Sequence, residues 1–495
     1  MKIFWALAVF AFVVLGAASV WLGGLNQDEG WYLYAANLCA EGKMLYRDFF
    51  YTQGPWMPRI YMSFSWIWGT WGLLGARIFT LAIGFAAIGF ATGLAQHLAP
   101  EGRKGEAALL TFMLLGCNLY HLYYVAIPKT YALAAMFVMM GFLLLAIGKR
   151  SISLLVAGLA LAYAAGTRIS LGALLCVAGL WLLCSRQWKR FFWFCIGGFG
   201  GLALVYGPCL CDAGARAGLC AAQQYHAARG GFDLVWMVGS VSRLVRWYLP
   251  VFIVLGLGAA GTYRTRETSR TRGTGVLLWG FLAVFAVQML APFPYEDYQV
   301  PIMGLLAVYA AVNFVNCGMS SELRSVRSSE QVWRVLLVLG LCFANSFGSP
   351  LLEKWMTNGQ DRFWSLKKEK CEMAQLRDVA KRIEAQDPGG KTLLTQDLYL
   401  AVETNRKVPA GLEMGPFAML TDEEWKRLLT ETAPEECKIA ALSGYAFAIE
   451  PPVCKERSVE RQMEYWTLLK QNYKLVDREE AFGQNATTLL MLKRK

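Results

Sequence analysis

Asn26-Gln27-Asp28-Glu29-Gly30-Trp31-Tyr32-Leu33-Tyr34-Ala35-Ala36 follows closely on an apolar run from Ile3 to Leu22. About twenty apolar residues make a bilayer-spanning helix, so Asp28 and Glu29 stand where that helix leaves the membrane. Asn26 is suited to cap a second helix, and Glu29, three residues on, completes a capping box. Trp31, Ala35 and Leu38 then share one helical face, as suits a surface helix at a membrane boundary. The pattern holds a carboxylate pair within reach of a lipid head group. A plainer role also fits, since acids after a first span hydrate a helix end and Glu29 serves as a cap.

The rest of the chain has the same character. Of its 495 residues, 56% are hydrophobic and 17% charged, far from the average of soluble proteins. Apolar runs of spanning length recur to about Ser349, which makes this a polytopic α-helical membrane protein. About eleven spans are expected, near 3–23, 72–98, 107–126, 131–147, 152–167, 169–184, 191–209, 244–261, 274–291, 299–317 and 334–349. The first resembles a signal peptide, with Lys2 and Gly16-Ala17-Ala18-Ser19, but its continuation to Leu22 and the spans that follow favour an uncleaved anchor.

The formal net charge is +12. In a soluble protein this would raise nucleic acid as a partner; here the loops account for much of it, and none is expected. With the N-terminus inside, the inward loops carry Arg103-Lys104, Lys149-Arg150, Arg186/Lys189/Arg190, Arg264/Arg266/Arg270/Arg272 and Arg324/Arg327, as the positive-inside rule asks. Asp28-Glu29 and Glu296-Asp297 then both emerge outside. This predicts a multi-pass protein of a bacterial-type inner membrane, with a cytoplasmic N-terminus and a periplasmic or extracellular C-terminal part.

Residues 1–349 thus form a transmembrane domain, in which 24–71 is a long outer loop dense in aromatics. Gly54-Pro55 forces a turn within it. Residues 350–495 have the composition of a soluble domain. Arg362 to Gln386 reads as a helix, Lys391 to Gln396 as a strand, and Thr421-Asp422-Glu423-Glu424 as a capping box. Further strands are expected at 437–442, 445–450, 473–477 and 487–493, with a helix near 456–472, giving a small α/β domain.

Thirteen cysteines show no paired metal-ligand spacing. Cys209, Cys211, Cys220, Cys371, Cys437 and Cys454 lie at or beyond the outer face, where disulfides can form. His97, His121 and His226 are too scattered for a zinc site.

The chain resembles the GT-C superfamily of membrane glycosyltransferases, which use polyprenyl-phosphate-linked sugars. It is most similar to bacterial protein-mannosyltransferases, lipid A aminoarabinose transferases and lipopolysaccharide-core transferases. The resemblance rests on Asp28-Glu29 with Trp31-Tyr32 and Ala35-Ala36, Gly42 through Tyr46-Arg47-Asp48, and Gln53-Gly54-Pro55. Arg77, Gly166-Thr167-Arg168 and Asp297-Tyr298-Gln299-Val300-Pro301 add to it. The last segment resembles the family's His-Tyr-x-x-Pro, with Asp297 in place of His. Two further departures are Pro128-Lys129-Thr130, where many relatives have an acid, and Gln53-Gly54 before Pro55, where many have Lys.

The resemblance implies an inverting transferase. A sugar would leave a polyprenyl-phosphate donor for a glycan, lipid or protein acceptor on the outer face, amid membrane lipids as the surrounding partner. It places the acceptor-binding carboxylate on Asp28, with Glu29 as the second catalytic candidate. A carboxylate can orient a hydroxyl and take its proton late, and the leaving phosphate needs no general acid. Cations should steady that phosphate. The donor-phosphate candidates are Arg168, Lys129, Gln53, Arg47 and Lys43, with Arg243 and Arg246 also on the outer side. Arg168 leads, because an Arg between two apolar spans is costly unless paired or functional; snorkelling or a structural salt bridge is its plainer role, and an ordinary interfacial position that of Lys129. Tyr32, Asp297 and Tyr298 are candidate contacts to acceptor or donor. No cofactor and no metal ligand is expected, although a divalent metal stays open. A lipid transporter or flippase is the alternative, against which stands the scarcity of midspan charges.

Overall fold

The computed structural model describes residues 1–495 apart from 229, 266–272, 292–293, 318–326, 357–370, 419, 444–458 and 485. The first apolar run is α1 (Lys2–Leu22), followed by α2 (Gln27–Ala40), the short α3 (Trp56–Tyr61) and the long α4 (Ser65–Leu98). The apolar stretch 107–126 is not one straight span. It forms α5 (Lys104–Gly116) and α6 (Leu119–Ala126), which meet at a 69° bend. The break is satisfied internally. Asn118 caps α6 through the His121 amide and donates to the Trp247 carbonyl, while the Leu119 amide donates to Ser346. Backbone freed at membrane depth requires such partners.

α7 (Thr130–Ile147), α8 (Ser151–Thr167), α9 (Gly172–Cys184) and α10 (Trp188–Cys211) follow the apolar pattern, with Arg168 in the turn between α8 and α9. α11 (Ala213–Ala227) and α12 (Leu234–Trp247) lead to α13 (Leu249–Thr265), and α12 meets α13 at an 81° bend. The run expected as a span over 244–261 is therefore two helices that meet at a corner at Tyr248. α14 (Gly275–Met289), α15 (Met303–Asn316) and α16 (Arg327–Met356) complete the helical body. Among the described residues, five helical segments are long and apolar enough to cross a membrane, two bent pairs pass together, and three further apolar helices are shorter. α16 runs past Pro350, so the junction with the C-terminal part falls among the residues not described.

The C-terminal part contains α17 (Glu372–Gln386), α18 (Leu398–Glu403), α19 (Asp422–Arg427), α20 (Ala433–Glu436), β1 (Ile439–Ser443), α21 (Val459–Asn472), β2 (Tyr473–Phe482) and β3 (Thr487–Arg494). The strands form an antiparallel sheet in the order β1-β3-β2, with Leu442 opposite Leu490 and Leu475 opposite Leu492. Thr421 and Glu424 form the expected capping box. The strand expected at 391–396 is reduced to bridges from Thr392 to Lys407 and from Leu394 to Ala440. The strand expected at 445–450, and the first residues of the helix expected from Arg362, lie outside the described residues.

The capping box predicted for α2 is present: the Asn26 side chain accepts from the Asp28 amide, and the Asn26 amide donates to Glu29 Oε1 at 2.9 Å. The surface position predicted for this helix is not. Gln27 and every residue from Glu29 to Ala36 are buried, because α18 of the C-terminal part packs on one side of the helix and α3 and α4 of the helical body on others. Gly30 makes the approach of α18 possible. A Cβ there would collide with the backbone of Leu398 and Tyr399. The Leu25 amide donates to Glu372, the Leu73 amide to Glu403, and the Val408 amide to the Tyr34 hydroxyl.

Candidate active site

Successive helical residues are turned by about 100° from one another, so the first three residues of α2 aim in three directions. Gln27 faces the C-terminal part. Its side-chain amide donates to Asp397 Oδ1 at 2.5 Å, and its backbone amide donates to Gln484 Oε1 at 2.8 Å. Glu29 faces the helical body. Arg77 grips it through Nε and Nη2 at 2.7 and 2.6 Å, and the remaining Arg77 donors go to the Val20, Gly23 and Gly24 carbonyls. Both side chains are fully buried.

Asp28 takes the third direction. Its Oδ2 lies 2.8 Å from Lys129 Nζ, and Trp31 Nε1 donates to its Oδ1 at 3.1 Å. Lys129 also approaches Asp297, at 3.3 Å, and Asp297 accepts from the Tyr131 hydroxyl at 2.8 Å. Lys129 thus bridges two carboxylates that are separated by most of the membrane domain in sequence. It and Arg168 lie against the same ring: Lys129 Nζ and Arg168 Cζ are each 4.9 Å from the Tyr131 centroid. Arg168 also stacks on Tyr298 at 4.8 Å and donates to Thr130 at 3.1 Å, while its Nε has no partner among the described residues. Tyr32 stacks on Trp31 at 3.8 Å. Burial works against the Asp28 carboxylate, but Lys129, with help from Trp31 and Arg168, holds its pKa below the usual value.

Arg168 and Tyr298 also form one wall of a cavity of about 310 Å³, shared with Gln53, Ser170, Gln288 and His226. Asp28 does not line it; the contact runs from Arg168 through Tyr131 and Lys129 to Asp28. The Gln53 loop is pinned from several sides. The Tyr46 hydroxyl donates to the Gln53 carbonyl at 2.5 Å, His226 lies 2.7 Å from the Thr52 carbonyl, and Trp56 stacks on Tyr163 at 4.3 Å. Gly54 lies so close to the Gly166 carbonyl that a Cβ would collide with it. The motif Gln53-Gly54-Pro55 is therefore clamped to the end of α8, beside Arg168.

The structure brings together Asp28, Tyr32, Lys129, Arg168, Asp297, Tyr298 and Gln53 of the expected site residues. Four others stand apart. Glu29 is committed to Arg77 because its helical position turns it inward. Arg47 is exposed and pairs with Asp48 at 2.9 Å and Asp212 at 3.4 Å, and Lys43 is exposed on the same loop. Arg243 pairs with Glu296 at 3.0 Å. Tyr131, Ser170 and Gln288 escaped the sequence reading, and His226 was weighed there only as a zinc ligand. A lone amide in the apolar run 274–291 is the signal that could have found Gln288. No three His, Cys, Asp or Glu side chains converge to hold a metal ion among the described residues, and every described cysteine is a free thiol. Cys454 lies outside the described residues.

No protein-family model matches the chain, and no curated protein matches it by sequence. Solved structures do match. ArnT from Cupriavidus metallidurans bound to undecaprenyl phosphate is 13% identical with a TM-score of 0.60, covering 99% of this chain and 97% of that one. Its apo state is 14% identical with a TM-score of 0.59 and the same coverage. At this identity the likeness concerns the fold, and it extends over both the helical body and the C-terminal part. The chain is a polytopic, mostly helical membrane protein with the fold of ArnT, as its sequence resemblance implied.

Proposed function

We propose that this protein transfers a sugar from a polyprenyl-phosphate donor to an acceptor hydroxyl at the outer face of a membrane. The observation that carries the reading is a polar cluster beside a cavity. Asp28 and Asp297 are bridged by Lys129, and Arg168, which lines the cavity, stands next to them with an Nε–H that has no partner among the described residues. The ArnT structure, of the same fold, binds undecaprenyl phosphate, which supports an amphiphilic donor here. Ile169 and Val287, at the cavity edge, are about half exposed, at 46% and 49%. Their apolar surface suits a prenyl chain.

In this reading Arg168 receives the donor phosphate, with Gln53 beside it, and Lys129 adds positive potential from behind. Asp28 orients the acceptor hydroxyl toward the anomeric carbon. The new glycosidic C–O bond forms as the C–O bond to phosphate breaks, which inverts the configuration. The hydroxyl proton passes late to Asp28, whose depressed pKa makes it a weak base. The phosphate leaves as a stable anion, so no acid catalyst is needed; a glycoside hydrolase requires a second carboxyl group for that purpose. Glu29, sealed against Arg77, acts as a structural residue. Residues 1–349 would form the catalytic membrane domain and 350–495 a soluble domain outside the membrane.

The test is Asp28→Asn in cells and in purified full-length protein. Transfer to envelope glycans, read by mass spectrometry against cells lacking the protein, should fall by at least about a hundredfold. Membrane insertion and thermal unfolding should change little. Full activity in the variant rejects the reading. Movement of a labelled lipid across proteoliposomes with no sugar transfer would point to a flippase instead.

A further inference from the structure

Three consecutive residues at the start of α7 touch both halves of the proposed site. Lys129 reaches Asp28 and Asp297, and Arg168 lies against the Tyr131 ring. Between them Thr130 is fully buried, and its hydroxyl accepts from Arg168 Nη1 at 3.1 Å. Helical threonines commonly return their hydroxyl to a carbonyl one turn back, as Thr80, Thr92 and Thr167 do here. Thr130 is the first residue of α7, so it has no preceding turn of its own helix to bond. Its hydroxyl goes to Arg168 instead, and Tyr32 of α2 interacts with the same side chain.

The three nitrogens of Arg168 are consequently in different states. Nη1 is tied to Thr130. Nε is sealed from solvent and has no partner among the described residues. Nη2 also makes no hydrogen bond among the described residues, but it is not sealed, and Arg168 lines the cavity. Nη2 is therefore the nitrogen left to receive an anion. The rings of Tyr131 and Tyr298 restrict the guanidinium, yet attraction to a ring face is broad in direction. A hydrogen bond is directional. Thr130 is thus the contact that decides which nitrogen is tied and which is offered.

We propose that Thr130 is a positioning residue for the donor: its hydroxyl occupies Nη1 and sets the rotation of Arg168, so that Nη2 is presented to the donor phosphate. This rests on the reading of Arg168 as the phosphate-binding residue. Because Lys129 and Thr130 are adjacent, one turn of chain then fixes both the partner of Asp28 and the orientation of Arg168. That holds the acceptor carboxylate and the donor phosphate in register, and a misplacement of about 1 Å is enough to slow a transfer severely.

The experiment measures binding of sugar-free polyprenyl phosphate to full-length protein in nanodiscs. Thr130→Val keeps the shape of the side chain and removes the acceptor. It should weaken binding about five- to tenfold, whereas Thr130→Ser, which keeps the hydroxyl, should bind as the wild type does. In the Arg168→Met background, Thr130→Val should add no further loss. A loss that came from general packing, or through Tyr32, would persist in that background. Should Thr130→Val not be recovered from membranes, Thr130→Ala takes its place with the same expectations. Wild-type affinity in Thr130→Val, equal losses in Thr130→Ser and Thr130→Val, or additive losses in the double variant overturn the inference; the donor-site reading survives each of these if Arg168→Met alone weakens binding. If the wild type does not bind the lipid, or Arg168→Met binds it equally well, that reading fails and the inference fails with it.

Discussion

Glu29 divides its carboxylate between Arg77 and the Asn26 amide it caps, with neither the Glu29 nor the Arg77 side chain exposed, whereas Asp28, one residue earlier, keeps 29% of its side chain exposed and shares Lys129 with Asp297. The two environments differ most in how far their bonding is saturated. All five Arg77 donors are occupied, two on Glu29 and three on carbonyls at the end of α1. Arg168, the corresponding cation near Asp28, has one hydrogen bond, two aromatic faces and an N–H with no partner among the described residues. A saturated pair can only hold structure. An unsaturated cluster retains capacity for a ligand, and this separates the two acids where sequence adjacency could not.

The largest effect is expected on the saturated side. Arg77→Met leaves Glu29 charged and buried without a countercharge, bonded only to the Asn26 amide, a change expected to cost about 3–5 kcal/mol. The variant should be poorly recovered from membranes, with a large fall in thermal midpoint by size-exclusion chromatography in detergent. Glu29→Gln combined with Arg77→Met removes the stranded charge and should recover part of the loss. If Arg77→Met were as stable as the wild type, the structural role of Glu29 would be wrong and its place as a second catalytic acid would reopen.

A smaller effect is expected on the third side of α2. Gly30→Ala places a methyl group against the backbone of Leu398 and Tyr399. Overpacking of this kind costs about 1–3 kcal/mol, and the strain falls on the seat between α2 and the C-terminal part. Limited proteolysis should release that part faster while the helical body stays intact. Equal proteolysis rates would show that the close approach has room to relax.

These contrasts indicate how far the sequence could be read. Hydropathy runs located the helices, because burial in lipid imposes a local and continuous composition. The Asn26–Glu29 capping box was legible because its two partners are three residues apart. Asp28 and Arg168 stood out as charges at the ends of apolar runs. The bridging of Asp28 and Asp297 by Lys129 was not legible, since it joins three distant segments and leaves no trace in periodicity. Lys129 instead looked like an ordinary interfacial residue. The burial of α2 was missed for a related reason. Its aromatic face suits a membrane boundary as well as the underside of a domain, and only Gly30 hints at close contact. The breaks at Asn118 and Tyr248 fall inside apolar runs whose composition does not change, so hydropathy passes over them.

The finest distinction concerns the charge state of Asp28. Burial alone would raise its pKa; Lys129 outweighs this and holds it below the ordinary carboxylate value. An acid depressed in this way stays ionised as the pH falls through the usual carboxylate range. The stability it lends is present above its unfolded pKa and is lost only as the pH falls through the lower, folded one. The acid limb of the wild-type transfer rate should therefore lie below pH 3.8, the ordinary Asp value. In Lys129→Met the burial effect remains and the main opposing charge is gone, so the limb should move above that value. The variant also loses positive potential near the donor phosphate, but that loss lowers the rate at every pH. The ratio of variant to wild-type rate should accordingly be constant near neutrality and fall on acidification. A ratio independent of pH would mean that Lys129 acts on the phosphate alone, and that the Asp28–Lys129 contact does not set the protonation of the proposed base.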